Sequence, residues 1–163
     1  MVTLMPTAYI ASDVSPKHHS WVMDSGCSHH MTPMHDSYIS YSPYITLQTV
    51  QLANKFHINA VGEGTVLIST VVDGITCCIQ VEDVIHAPEL SNSLLSVKVL
   101  NRRGFEVLFK DGIGRIVNPS GDVLARSKDG GSLYDLHTLR EKYNPVMASI
   151  AHKPAHLSLD LIH

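Results

Sequence analysis

This chain of 163 residues has no long apolar run, no basic cluster and no cysteine framework. No stretch approaches the roughly 18 consecutive apolar residues of a membrane-spanning helix, so no membrane partner is expected. The first ten residues contain Pro6 and lack a basic stretch, which argues against a secretory signal. Twelve Lys and Arg stand against fifteen Asp and Glu, for a net charge of −3, and the basic residues are scattered. Nucleic acid is therefore not an expected partner of this segment. The three cysteines are Cys27 and the adjacent pair Cys77 and Cys78. An odd count with two neighbours suits a reducing, cytoplasmic setting. On a strand the adjacent pair would point to opposite faces, one buried and one outward. The eleven histidines are scattered, and no Cys-x-x-Cys pair accompanies them. No metal site and no cofactor are expected. No internal repeat is visible.

A hydrophobic content of 44% is enough for a core, and the length suits one domain with flanking segments. Residues 1–19 read as a lead-in or an outer strand. From residue 20 to about 126, short β-branched and apolar runs alternate with turn signals, the pattern of an all-β domain. Runs 45–52 and 56–61 flank Ala53, Asn54 and Lys55, which suit a hairpin tip. Strand 64–72 and its partner 75–81 are joined by Asp73-Gly74, a two-residue hairpin signal. Residues 84–87 form a further extended piece, ended by Pro88. Leu94, Val97 and Leu100 fall at helical spacing between capping-type residues and Gly104, which predicts a helix over 93–102. Strands follow at 105–109, 113–117 and 123–125, and 133–136 can extend the sheet. From residue 140, Pro145 and Pro154 interrupt any period. That stretch reads as a linker to a neighbouring unit or, alternatively, as a C-terminal helix.

One run carries chemistry. Trp21-Val22-Met23 leads into Asp24-Ser25-Gly26, followed by the small Cys27. A strand that ends in an aspartate, a hydroxyl and a glycine is how an aspartic protease presents its catalytic carboxylate. The triplet occurs once, whereas that chemistry needs two carboxylates sharing one proton. One carboxylate then takes a proton from water while the other polarises the peptide carbonyl. Gly26 would let the backbone turn tightly beside the carboxylates. The alternative is an ordinary structural Asp-Ser-Gly turn. A Cys27 nucleophile paired with His29 or His30 is a further alternative, disfavoured by their closeness along a turn. His86, among apolar neighbours, reads as a satisfied core or interface residue. Asp-Gly pairs at 73–74, 111–112 and 129–130 read as turns.

Taken together, the motifs resemble the protease segment of copia-type LTR-retrotransposon Gag-Pol polyproteins. The resemblance rests on Asp24-Ser25-Gly26-Cys27-Ser28-His29-His30-Met31-Thr32, on Gly62-Glu63-Gly64, and on Val84-Ile85-His86-Ala87-Pro88-Glu89-Leu90 followed by Asn92-Ser93-Leu94-Leu95-Ser96-Val97. Leu133-Tyr134-Asp135-Leu136 is similar to the opening of the pre-integrase region, and residues 155–163 to the approach to the integrase zinc-binding histidines. His156 and His163 would then belong to a zinc site completed by residues beyond this chain.

The resemblance implies an all-β, retropepsin-like acid-protease barrel with one short helix packed behind the catalytic loop. The protease domain would span 20–139, and 140–163 would begin the pre-integrase region. Asp24 would be catalytic, supported by Ser25, Gly26 and Cys27, with Ser25 hydrogen-bonding across a homodimer formed through the catalytic loops. Many aspartic proteases carry Ala where this chain has Cys27, which adds an oxidation-sensitive thiol beside the site. His30 would have a structural hydrogen-bonding role. Residues 48–58 would form the flap over substrate, with Leu52, Ala53, Asn54 and Lys55 at its end. The implied substrate is the Gag-Pol polyprotein, cut at its junctions within a cytoplasmic virus-like particle. A transposon-derived dimerising or protein-binding module without catalysis is the alternative.

Overall fold

Ten strands and one six-residue helix make up the described part of the chain, which in this computed structural model comprises residues 20–52, 54–138 and 155–156. In order they are β1 (Trp21–Asp24), β2 (His30–Thr32), a 3-10 turn (His35–Ser37), β3 (Tyr38–Gln51), β4 (His57–Val72), β5 (Ile75–His86), β6 (Ser93–Ser96), α1 (Val97–Arg102), β7 (Glu106–Lys110), β8 (Ile113–Val117), β9 (Val123–Arg126) and β10 (Ala155–His156). A seven-stranded sheet runs β1-β6-β2-β5-β4-β3, with β10 beside β5, and β7-β8-β9 form a second sheet of three strands. The protein is therefore mostly β with one short helix.

Turn chemistry sets the two tight hairpins. Asp73 and Gly74 lie at φ 50° and 79°, and Asp111 and Gly112 at 52° and 75°. A two-residue loop with both residues left-handed matches the twist of the flanking strands. The first of these pairs β4 with β5 from Val72↔Ile75 to Gly62↔His86. Residues 84–86, expected as a separate piece, are the end of β5, which runs unbroken to His86.

The expected helix over 93–102 begins four residues late. Ser93–Ser96 is strand β6, paired in parallel with β1 (Trp21↔Ser93 to Asp24↔Ser96) and touching β2 at Met31↔Leu94. Alternation decides the outcome: Leu95 is buried in the main core, while Leu94 packs with the smaller cluster beneath the β3–β4 hairpin. The helical spacing of Leu94, Val97 and Leu100 is real only from Val97 onward. Ser96 is the N-cap, its side chain accepting from the Val99 N–H.

The main core joins both sheets, from Trp21 and Met23 through Val66, Ile68, Ile79, Val81 and Val84 to Leu95, Leu100, Ile116 and Leu124. Leu136 completes it: Leu136 N–H donates to the Trp21 carbonyl at 2.8 Å, and Met23 N–H donates to the Tyr134 carbonyl at 3.1 Å. The Leu133–Leu136 motif thus seals the outer edge of β1. Cys77 and Cys78 are both half-buried, contrary to the expected one-in, one-out split. Residues 1–19, and 140–163 apart from β10, lie outside the described residues, as does the choice between a linker and a C-terminal helix there.

Leu95→Ala should cost about 2–5 kcal/mol in urea unfolding, as for other buried leucines. Leu94→Ala should cost clearly less, and equal losses would contradict the strand alternation.

Candidate active site

Three strand ends meet at one corner of the large sheet. β6 lies between β1 and β2, parallel to the first and antiparallel to the second. The C-terminal end of β1 (Asp24), the C-terminal end of β6 (Ser96) and the N-terminal end of β2 (His30) therefore come together. Residues 25–29, which join β1 to β2, must cross over the end of β6. Asp24 sits at the start of that crossing.

The crossing is held locally and from behind. Gly26 N–H donates to Asp24 Oδ1 at 2.6 Å, an Asx-type turn. Positive φ occurs at Gly74, Gly104, Gly112, Gly121 and Gly130 but not at Gly26, so Gly26 acts here as a backbone donor and not as a left-handed hinge. The Cys27 thiol donates to the Asp24 carbonyl at 3.5 Å. From behind, Ser96 Oγ donates to the Cys27 carbonyl at 2.7 Å, and Ser96 N–H donates to His30 Nδ1 at 3.0 Å. His30 is fully buried, so its ring is neutral, with the proton on Nε2. Ser25 is exposed.

A cavity of about 240 Å³ opens beside Asp24, lined by Asp24, Cys27, Met31, Gln51, Leu52, Asn54 and Leu94. Its apolar lining, Cys27, Met31, Leu52 and Leu94, belongs to a cluster that also holds Ala60 and Ile85. Its roof is the β3–β4 hairpin end, where Leu52 N–H donates to the Phe56 carbonyl at 2.8 Å and Lys55 N–H to the Leu52 carbonyl at 2.9 Å. Of the four flap residues expected, Leu52 and Asn54 line the cavity. Lys55, at φ 67°, does not, and Ala53 lies outside the described residues. Gln51 falls within the expected flap of residues 48–58, whereas sequence reasoning missed Met31 and Leu94 as lining residues. Leu94 was legible in principle from the alternation Ser93-Leu94-Leu95-Ser96.

The hairpin is anchored by a cluster of rings. The Tyr41 hydroxyl and His86 Nδ1 lie 2.9 Å apart, and Tyr38 donates to the Val84 carbonyl at 3.1 Å. His35 packs edge-on against Tyr41 with ring centres 4.7 Å apart. The Gly62-Glu63-Gly64 motif makes room for this packing, since a Cβ on Gly62 would meet Tyr41 Oη and one on Gly64 the Ser40 carbonyl. His86, buried and bonded, is the satisfied core residue the sequence suggested.

Burial, reinforced by the Asp24 charge, pushes the Cys27 thiol up to about 11. Such a thiol is a poor nucleophile at neutral pH, and Cys27 Sγ, His29 Nδ1 and His30 Nδ1 are each engaged elsewhere, which disfavours the Cys-His alternative. Burial, aided by the Arg103 charge, pushes His30 down to about 4 from its ordinary 6.5. Among the described residues no cluster of three or more His, Cys, Asp or Glu has metal-binding geometry, and no helix is long and apolar enough to cross a membrane.

Two comparisons bear on this site. Residues 21–105 match the family described as "Pol polyprotein, beta-barrel domain". The chain is also 32% identical over 114 residues to the "Retrovirus-related Pol polyprotein from transposon TNT 1-94" of Nicotiana tabacum. That match covers 70% of this chain and 8% of the length of the curated relative.

Two outcomes follow from the site's electrostatics. At pH 8, Cys27 should carry about 100-fold less thiolate than an ordinary free thiol. Native-state alkylation followed by mass spectrometry should label it far more slowly than half-buried Cys77 and Cys78. For His30 the folded value is the lower one, so the unfolded chain takes up the proton first as pH falls below 6.5. Its contribution is intact above that pH and lost progressively toward about 4, about 3 kcal/mol in all. Urea unfolding across this range should show that loss, and His30→Asn, which keeps an acceptor but does not titrate, should reduce it.

Proposed function

The chain belongs to the Pol polyprotein, beta-barrel domain family, and on that footing we propose that this domain of a copia-type Pol polyprotein is an aspartic endopeptidase. The observation that carries the reading is the setting of Asp24. Its carboxylate ends a buried strand, starts a loop that crosses the end of an intervening strand, and borders a cavity roofed by a hairpin. This arrangement supports a retropepsin-like barrel spanning residues 20–139.

One chain supplies one such carboxylate, so the active species is a homodimer joined through the two catalytic loops, with Ser25 of each chain at the contact. Asp24 of one copy takes a proton from water while Asp24 of the other, protonated, hydrogen-bonds to the peptide carbonyl. The water oxygen adds to the carbonyl carbon, the proton passes to the departing nitrogen, and the C–N bond breaks. No covalent intermediate and no cofactor is involved. The substrate is an extended polypeptide, the junctions of the Gag-Pol polyprotein, held between the catalytic loops and the two hairpins. The setting is the cytoplasm, within a virus-like particle.

The Asp24–Gly26 hydrogen bond also supports a second reading, in which Asp24 is a turn residue of a dimerising or protein-binding module. Asp24→Asn separates the two, because an asparagine Oδ1 still accepts from Gly26 N–H and preserves the turn. Wild type and Asp24→Asn should be incubated with a longer polyprotein segment carrying this chain and its flanking sequence, and new termini mapped by mass spectrometry. The protease reading predicts cleavage by wild type and a loss of at least about 100-fold in the variant. Equal processing by both, or none by either, would overturn it.

A further inference from the structure

Behind the Asp24 loop lie four polar side chains with almost no solvent contact: His30 and Ser93 at 1% exposure, Thr32 and Ser96 at 0%. Buried polar groups are costly unless each finds a partner. Here every one does, and the pairs divide by position. At the far end of β6, beside Trp21, the Thr32 and Ser93 hydroxyls bond to each other at 2.7 Å. At the near end Ser96, opposite Asp24 in the parallel register, holds three partners. Its single hydroxyl proton goes to the Cys27 carbonyl, its oxygen accepts from Val99 N–H at 3.3 Å, and its own N–H goes to His30 Nδ1. Ser96 thus ties the catalytic loop to the start of α1 and to β2 at once.

We propose that Ser96 and His30 are positioning residues for Asp24: together they latch the loop at the height where two Asp24 carboxylates meet, and protonation of His30 releases the latch. The inference rests on the reading of Asp24 as catalytic. The chemistry of release is a clash of donors. Neutral His30 offers a lone pair at Nδ1 to Ser96 N–H, whereas protonated His30 would aim a second N–H at the first. Ser96 would then lose its hold on the backbone, and with it the alignment of the Cys27 carbonyl. The charged and titratable groups acting on His30 are Arg103 after α1, His29 on the loop and Asp83 on β5. Arg103 and His29 disfavour the proton, Asp83 favours it, and Arg103 and Asp83 form an ion pair with each other. The acid limit of activity is therefore assigned to His30, whose Nδ1 accepts from the Ser96 N–H.

The test compares Ser96→Ala, His30→Asn and, as a control at the far end of the same strand, Ser93→Ala. kcat and KM are measured for each from about pH 3.5 to 7.5 on a peptide spanning the junction that wild type cleaves, which carries no second copy of the domain. Exchange of the Ser96 amide hydrogen is followed over the same range in wild type. Ser96→Ala should lower kcat by about 10- to 100-fold with KM within about twofold, the signature of a misplaced reacting group. Ser93→Ala should lower stability and leave kcat within about twofold of wild type. His30→Asn, read against its own neutral-pH kcat, should move the acid limb to lower pH. The Ser96 amide should lose protection on acidification before global unfolding. Equal kcat losses in Ser96→Ala and Ser93→Ala, or an unmoved acid limb in His30→Asn, would overturn the proposal. If wild type cleaves nothing, the protease reading fails by itself, and the exchange readout decides the latch: protection that persists until global unfolding refutes it.

Discussion

The insertion of β6 between β1 and β2 is the constraint on which the site depends. Two strands adjacent in sequence would ordinarily pair with each other. Here a strand from some 60 residues later fills the gap, and the short connection between β1 and β2 is left to bridge its end. That bridge carries Asp24 at one foot and His30 at the other, and Ser96 stands beneath it. The parallel pairing with β1 buries Leu95 in the core, so the register that positions Asp24 is also the one that satisfies the hydrophobic pattern. A slip by one residue would turn Leu95 outward and move Ser96 out of reach of Cys27. Site geometry and fold stability are thus fixed by the same contacts.

The roof of the cavity is built on a different principle. The β3–β4 hairpin projects Ile45, Leu47 and Phe56 into solvent, with exposures of 105%, 63% and 69%, while its base is tied down by the Tyr41–His86 contact. The glycines at 62 and 64 belong to the base: their lack of a side chain lets the Tyr41 ring and the Ser40 backbone come close.

How much of this was legible in the sequence differs from element to element. Asp73-Gly74 and Asp111-Gly112 announced their hairpins because two-residue loops demand particular backbone angles, and the β-branched runs announced the strands around them. The boundary between β6 and α1 was not legible by spacing, because Leu94, Val97 and Leu100 satisfy a helical period even though the first lies on a strand. What settles it is the parallel partner β1, a contact between residues about 70 apart that no local window contains. The Asp24 run pointed to the corner of the molecule where the cavity opens. The latch behind it did not show, since serine and histidine become informative only when burial forces them to pair. Likewise Met31 and Leu94 came to the cavity through folding, from a loop exit and a distant strand.

The central claim is that one Asp24 acts only when it faces another, and mixing subunits tests it most directly. A fixed amount of wild-type chain is titrated with folded Asp24→Asn chain under conditions of free subunit exchange, and cleavage of a junction peptide that carries no copy of the domain is followed. If the site is shared, mixed dimers hold one carboxylate and are inactive, so activity falls in proportion to the wild-type fraction, to about half at equal amounts. Activity that stays constant as the variant is added would show that a single chain holds a complete site, and would contradict the account.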